Sequence, residues 1–192
     1  MKVYTKIGDQ GKTQFFGCGL ISKDDPRIDA LGAFDELNSV IGLTLSFVED
    51  ERMASHLTKM QHDLFQLSAD LVGSALRPES LPRITQEHID HLEKEIDILE
   101  EKLGMPTSFI LPGGTKASAF LHLCRVITRR AERTLVCVKN KNAIHINPEM
   151  LRFVNRLSDF LYVLARQANK EVNMSEQKPI YKYFKEVKND IV

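Results

Sequence analysis

The stretch MASHLTKMQHDLFQLSADL (Met53–Leu71) carries the pattern that decides the fold. Met53, Leu57, Met60, Leu64, Leu67 and Leu71 recur at alternating steps of four and three. Apolar side chains at that spacing line one stripe of a helix, whereas a half-buried strand would alternate at two. Such a helix must bury its stripe against another element, and the chain supplies four more of the same kind. After Asp25-Pro26, a good helix start, come Ile28, Leu31, Phe34, Leu37, Ile41, Leu45 and Val48. Ile89, Leu92, Ile96, Leu99 and Leu103 form a third stripe, stopped by Gly104 with Pro106 beyond. A fourth runs from about Thr115 to Val138 through Phe120, Leu123, Ile127, Ala131 and Leu135. The fifth opens on Asn147-Pro148-Glu149, a capping residue, a proline at the first helical position and an acid in the first turn. It continues through Leu151, Val154, Leu157, Leu161, Leu164 and Ala168.

Five long amphipathic helices with mostly short links predict an all-α, antiparallel five-helix bundle. The whole of 1–192 reads as a single domain: an irregular N-terminal arm (1–25), the bundle (26–169) and a charged tail (170–192) expected as surface strand or loop. Twenty-six basic residues balance 26 acidic ones. The chain as a whole therefore has no electrostatic reason to seek nucleic acid or an anionic membrane, and a local cluster must attract any anion. No apolar run approaches a membrane span, and no secretory leader is evident. Cys18, Cys124 and Cys137 have no CxxC spacing, which suits a reduced, cytoplasmic protein.

Two features point to a ligand. The arm, Tyr4 to Gly19, interleaves Gly8, Gly11, Gly17 and Gly19 with Thr5, Lys6, Lys12 and Thr13. Gly11-Lys12-Thr13 is not a P-loop, because Lys6 stands where the pattern needs glycine and Phe15-Phe16-Gly17 starts no helix. Exposed backbone amides, hydroxyls and ammoniums still suit phosphate, although a terminus with turn glycines would look similar. The second feature is a ridge on the fourth helix. His122, Arg125, Arg129, Glu132 and Arg133 follow steps of three and four, with Arg130 one residue round. The pattern sets this stripe outside the core. A solvated charged face is the ordinary explanation of such a row, but adjacent arginines repel one another unless anions neutralise them, and the guanidinium fork matches phosphate and carboxylate oxygens. Asp35 and Asn38 interrupt the first helix near its core face, while Asn155, Asp159, Tyr162 and Arg166 draw a polar line along the fifth.

Other chemistries find no footing. Di-iron bundles need Glu-x-x-His pairs, and none of His56, His62, His88, His91, His122 or His145 has glutamate three residues before it. His88 and His91 read as a surface pair. No zinc pattern, GxSxG elbow or activated cysteine is present. An enzyme built this way would take its nucleophile from a substrate. A nucleotide-binding scaffold, or more distantly an RNA-contacting helix, competes with that reading.

Six stretches narrow the choice: Tyr4-Thr5-Lys6-x-Gly8-Asp9-x-Gly11-x-Thr13; Ser22-Lys23-Asp24-Asp25; Gly32-x-x-Asp35-Glu36-Leu37-Asn38-Ser39; Phe109-Ile110-Leu111-Pro112-Gly113-Gly114; Cys124-Arg125 through Arg129-Arg130-Ala131-Glu132-Arg133; and Asn155-Arg156-Leu157-Ser158-Asp159. In this order they resemble the PduO-type cob(I)alamin adenosyltransferases, from Val3 to about Asn169. The resemblance implies a ferritin-like bundle, cobalamin adenosyltransferase-like in kind, assembled as a homotrimer with active sites between subunits. It implies transfer of the 5′-deoxyadenosyl group of ATP to the Co(I) of a reduced corrinoid, with Mg²⁺ held mainly by the phosphates. ATP contacts would be Thr5, Lys6, Ile7, Gly8, Thr13, Gln14, Lys23, Arg129, Arg130, Ala131, Glu132, Arg133 and Asn155. Asp35 and Arg125 would form an intersubunit ion pair beside the corrinoid, and Phe109 would cover the lower face of cobalt. Asp35, Phe109, Arg125 and Arg129 are the expected catalytic set. Ile7 replaces a frequent threonine, and Gln14 a small residue. A cob(II)alamin reductase and an adenosylcobalamin-dependent enzyme are the implied partners, with no nucleic acid and no membrane.

Overall fold

A computed structural model describes residues 2–15, 19–73, 82–141 and 146–181. Gly17, Cys18, His145 and the tail from 182 onward lie outside the described residues. Five helices form where the stripes predict them: α1 (Pro26–Leu45), α2 (Glu51–Gly73), α3 (Gln86–Leu103), α4 (Lys116–Asn140) and α5 (Pro148–Glu171). Their starts follow from local chemistry. Asp25 accepts the Arg27 amide at 2.9 Å with Pro26 in the first turn. Thr115 accepts the Ser118 amide at 3.0 Å, and Asn147 accepts that of Glu149 at 3.1 Å. Each cap satisfies an amide that the helix itself leaves unpaired.

Contacts between side chains give the direction of packing. Gln61 of α2 donates to the Asn38 carbonyl of α1, and Phe47, just past α1, stacks on Phe120 of α4 with ring centroids 5.0 Å apart. Glu36 pairs with Arg130, and Asn155 of α5 donates to Glu132 of α4. The α1 and α4 helices therefore run antiparallel, as do α2 and α3, where Gln66 meets His88 and Arg52 meets Glu95, and α4 and α5, where Asn169 also meets Thr115. The α3 and α5 helices are parallel neighbours, since Arg152 reaches Gln86, Arg156 reaches Glu93 and Arg166 reaches the Gly104 carbonyl. The α5 helix is the most enclosed: Met150, Phe153, Val154, Leu157, Phe160, Leu161 and Val163 are all within 1% of full burial.

Several details differ from the sequence pattern. The α1 helix ends at Leu45, before Val48, and its buried face is Ala30, Ala33, Phe34, Leu37, Asn38, Ile41 and Thr44. In α4 the core face is Leu121, Cys124, Ile127, Ala131, Leu135 and Val138. Leu123 faces outward at 42% exposure, and His122 is buried. The α4 helix carries apolar residues on two faces, so periodicity alone admits both registers. His88 and His91 are not a free surface pair. His88 is half-buried, completes the α3 cap with Thr85 and lies 3.2 Å from Gln66 of α2.

The arm is more ordered than expected. A 3₁₀ turn (Ile7–Gln10) leads into a hairpin of β1 (Lys12–Phe15) and β2 (Gly19–Ser22), paired antiparallel with Thr13 opposite Ile21. Phe15 anchors it at 2% exposure under the Arg27 guanidinium, 5.0 Å from the ring centroid. That cation–π contact and the Asp25–Arg27 pair dock the hairpin on the start of α1. Past α5, residues 174–180 have no regular secondary structure.

Candidate active site

The arm gathers its polar residues around one turn. Lys6 adopts a left-handed backbone (φ 63), as does Gly11 (φ 71), and the Gly11 amide closes the turn on the Gly8 carbonyl at 3.2 Å. The Lys23 amide donates to the Gly11 carbonyl at 2.8 Å, which returns the chain beside its own start. A Cβ added to Gly8 would lie 3.0 Å from Lys23 Nζ, so glycine there admits the ammonium against the backbone. Thr5, Lys6, Ile7, Gln14 and Lys23 are exposed, while Gly8 and Thr13 are half-covered. Ile7 presents its side chain to solvent and offers an anion only its backbone. The result is a small concave group of amides, hydroxyls and two ammoniums.

On α4, Arg129, Arg130 and Arg133 are exposed and Arg125 is half-buried. Arg130 is neutralised by Glu36, and Glu132 is held by Asn155 at 3.1 Å. Among the described residues no acid pairs with Arg125, Arg129 or Arg133, although Arg133 donates to the Arg129 carbonyl at 2.9 Å. Burial, then the neighbouring Arg129 charge, lowers the pKa of Arg125, and its buried Nε has no partner. This row of cations lacks its anions. Ala131 is wholly buried, so its expected nucleotide contact is not one its side chain can make. His122, placed by the pattern on this ridge, instead lies beside Tyr162 (ring centroids 6.2 Å apart). Burial and the Arg125 charge lower its pKa to about 4, leaving it neutral.

Asp35 is exposed rather than at the core edge, and no ion pair joins it to Arg125 within the chain. Asn38 occupies the buried position instead. No hydrogen bond or ion pair between described residues joins the arm to the ridge in one chain. Burial pushes the Cys124 thiol up to about 11, so it stays protonated near neutral pH.

Phe109 stands on the loop between α3 and α4, with 79% of its surface exposed. The loop is tied down around it. Asn169 of α5 accepts the Thr115 amide at 2.9 Å and donates to the Gly113 carbonyl at 3.0 Å, while Ser118 donates to the same carbonyl at 3.0 Å. Sequence reasoning missed Glu36, Asn169 and Glu176 as supports. A polar residue at a core position of an otherwise apolar stripe, as at Asn169 one residue after Ala168, was the available signal.

The chain matches the cobalamin adenosyltransferase family over residues 3–168. The chain belongs to that family. The corrinoid adenosyltransferase of Bacillus subtilis is 40% identical over 173 residues, covering 88% of this chain and 87% of that protein. Corrinoid adenosyltransferase PduO of Salmonella typhimurium is 37% identical, over 91% of this chain and 52% of that longer protein. Among solved structures, two variants of the PduO-type ATP:corrinoid adenosyltransferase from Lactobacillus reuteri align closely. A phenylalanine-to-histidine variant complexed with cobalamin and ATP gives a TM-score of 0.86 at 35% identity, covering 94% of this chain and 97% of that one. An arginine-to-lysine variant complexed with ATP gives 0.85 at 35% identity, covering 93% and 100%. This cobalamin adenosyltransferase family member is thus a transferase, a corrinoid adenosyltransferase with the family's five-helix fold. No described helix is long and apolar enough to cross a membrane.

Proposed function

We propose that this transferase moves the 5′-deoxyadenosyl group of ATP onto the cobalt of a reduced corrinoid, in sites formed between subunits of a homotrimer. The observation that carries the reading is the row Arg125, Arg129 and Arg133, exposed or half-exposed and with no acid paired to it among the described residues. Triphosphate is the natural complement of Arg129 and Arg133, and Asp35 of a neighbouring subunit that of Arg125. The arm of one subunit then closes on the ridge of the next, with Thr5, Lys6, Ile7, Gly8, Thr13, Gln14 and Lys23 on one side of the nucleotide. Arg129, Arg130, Glu132, Arg133 and Asn155 line the other side, and Ala131 holds that turn of α4 in the core.

In the reaction, Co(I) donates its electron pair to C5′, the Co–C bond forms, and the C5′–O bond breaks with its electrons on triphosphate. No protein nucleophile or general base is needed. The protein's part is to fix the phosphates before charge grows on the leaving oxygen, so that Lys6, Lys23, Arg129 and Arg133 need no reorganisation. Mg²⁺ supplies further charge when bound. Glu132, one carboxylate oxygen of which accepts from Asn155, would share it with the phosphates. Phe109 presents an exposed ring to the corrinoid and excludes water or a nitrogen ligand from the lower face of cobalt. In the two Lactobacillus reuteri variants the substituted phenylalanine and arginine stand twenty residues apart, as Phe109 and Arg129 do here. Cytoplasmic location, an electron-delivering reductase and an adenosylcobalamin-dependent acceptor complete the reading.

Arg129→Ala tests it. Loss of one such donor costs about 3–4 kcal/mol of barrier, hence a rate reduction of roughly 10²–10³. The far-ultraviolet spectrum and unfolding midpoint should stay unchanged, because the side chain lies outside the core. Undiminished turnover would remove the ridge from the mechanism.

A further inference from the structure

The family match ends at residue 168, yet the chain after α5 turns back onto the loop that bears Phe109. The Met174 amide donates to the Asn169 carbonyl at 2.9 Å, and Asn173 takes a left-handed backbone (φ 55) to make the reversal. The segment then runs beside the loop. The Leu111 amide donates to the Gln177 carbonyl at 2.7 Å, and Lys178 Nζ reaches Thr107 Oγ1 at 3.4 Å. Phe109 lies between those two tethered loop residues.

One buried side chain anchors the arrangement. Arg166, 6% exposed, donates from Nε to Glu176 Oε1 at 2.8 Å and from Nη2 to Oε2 at 3.4 Å, while Nη1 donates to the Gly104 carbonyl at 2.9 Å. A buried guanidinium is costly unless paired and hydrogen-bonded, so these partners are held firmly. Arg166 thereby ties the start of the loop, at Gly104, and the returning segment, at Glu176, to α5. The Phe109 ring packs little against its own chain at 79% exposure. Its direction follows the loop backbone, which this segment tethers on either side of it, at Thr107 and Leu111.

We propose that Met174–Lys178 is a working part of the corrinoid face, with Arg166 and Glu176 as positioning residues that aim Phe109 through the Gln177–Leu111 hydrogen bond. This rests on the assignment of Phe109 to the lower face of cobalt. The family core supplies the nucleotide groups, and the segment beyond it orients the residue that controls cobalt coordination.

Arg166 belongs to the core, so the test uses Glu176→Gln, with Glu176→Asp as the conservative rescue and Phe109→Ala as the control, all in the full-length protein. Hydrogen exchange of the Leu111 amide is measured without ligands. The four-coordinate fraction of cob(II)alamin is measured spectroscopically with MgATP present, together with the KM for ATP. Glu176→Gln should speed Leu111 exchange about tenfold and lower the four-coordinate fraction severalfold, leaving the KM for ATP within about twofold. Glu176→Asp should recover part of both effects. Unchanged Leu111 exchange overturns the tether. Faster exchange with an unchanged four-coordinate fraction, while Phe109→Ala lowers that fraction, overturns the positioning role. If Phe109→Ala itself leaves the fraction unchanged, the lower-face assignment fails and the positioning role fails with it. The exchange data would then still report separately on the tether.

Discussion

Burial of His122 between α4 and α5 removes both ring nitrogens from water and gives neither a partner. The cost of charging the ring there appears in its pKa of about 4, against 6.5 when free. Between those values the unfolded chain binds a proton that the folded chain refuses, so stability falls as pH drops. The penalty is absent above pH 6.5 and complete below about 4. His122→Phe should abolish this component: its stability advantage over the parent should grow by about 2–3 kcal/mol between pH 7.5 and 4.5 in urea unfolding. Parallel pH profiles for the two proteins would contradict the assignment. The same residue shows how far single positions are legible in the sequence. Leu121, His122 and Leu123 occupy successive directions around α4, and a hydrophobicity pattern accepts either leucine as the core residue. Only packing against Tyr162 and α5 decides that the histidine goes in and Leu123 goes out. Arg129 and Arg133 needed no such decision, because guanidiniums without buried partners stay outside under any register.

At the scale of elements, the loop between α3 and α4 carries more constraint than its irregular backbone suggests. Gly114 has φ 108, and a Cβ there would fall 2.2 Å from Asn169 Oδ1. Asn169 is itself 3% exposed and holds both Thr115 and Gly113. Gly114→Ala should therefore destabilise the protein by about 1–3 kcal/mol, with an unfolding midpoint lowered to match. An unshifted midpoint would mean that the loop relaxes freely. Helices were plain in the sequence because five stripes repeat over several turns each. The hairpin was not, because strands of four residues, KTQF and GLIS, offer too few alternations to distinguish from a glycine-rich coil. Its order comes from a non-local contact, Phe15 under Arg27, which no short-range pattern contains.

For the whole molecule, one chain leaves charges and apolar surface that a second copy would complete. Leu43, Leu123 and Val126 are 47%, 42% and 45% exposed on the helices that carry Asp35 and Arg125. In the proposed ring of subunits, Asp35 of each chain would meet Arg125 of the next. Asp35→Arg and Arg125→Asp should each cut turnover about 100-fold, since either leaves like charges facing across the boundary. The double variant should regain at least about tenfold of that loss. Sedimentation would follow assembly in the same samples, and a double variant no better than the worse single would argue against the pair.

In the proposed reaction, arm and ridge hold triphosphate as a leaving group. The most direct measurement of this is incubation of the protein with MgATP and chemically reduced cobalamin, with nucleotide products and the cobalamin absorbance followed together. One intact triphosphate should be released for each adenosylcobalamin formed. ATP bound but unconsumed, or diphosphate and phosphate in place of triphosphate, would contradict it.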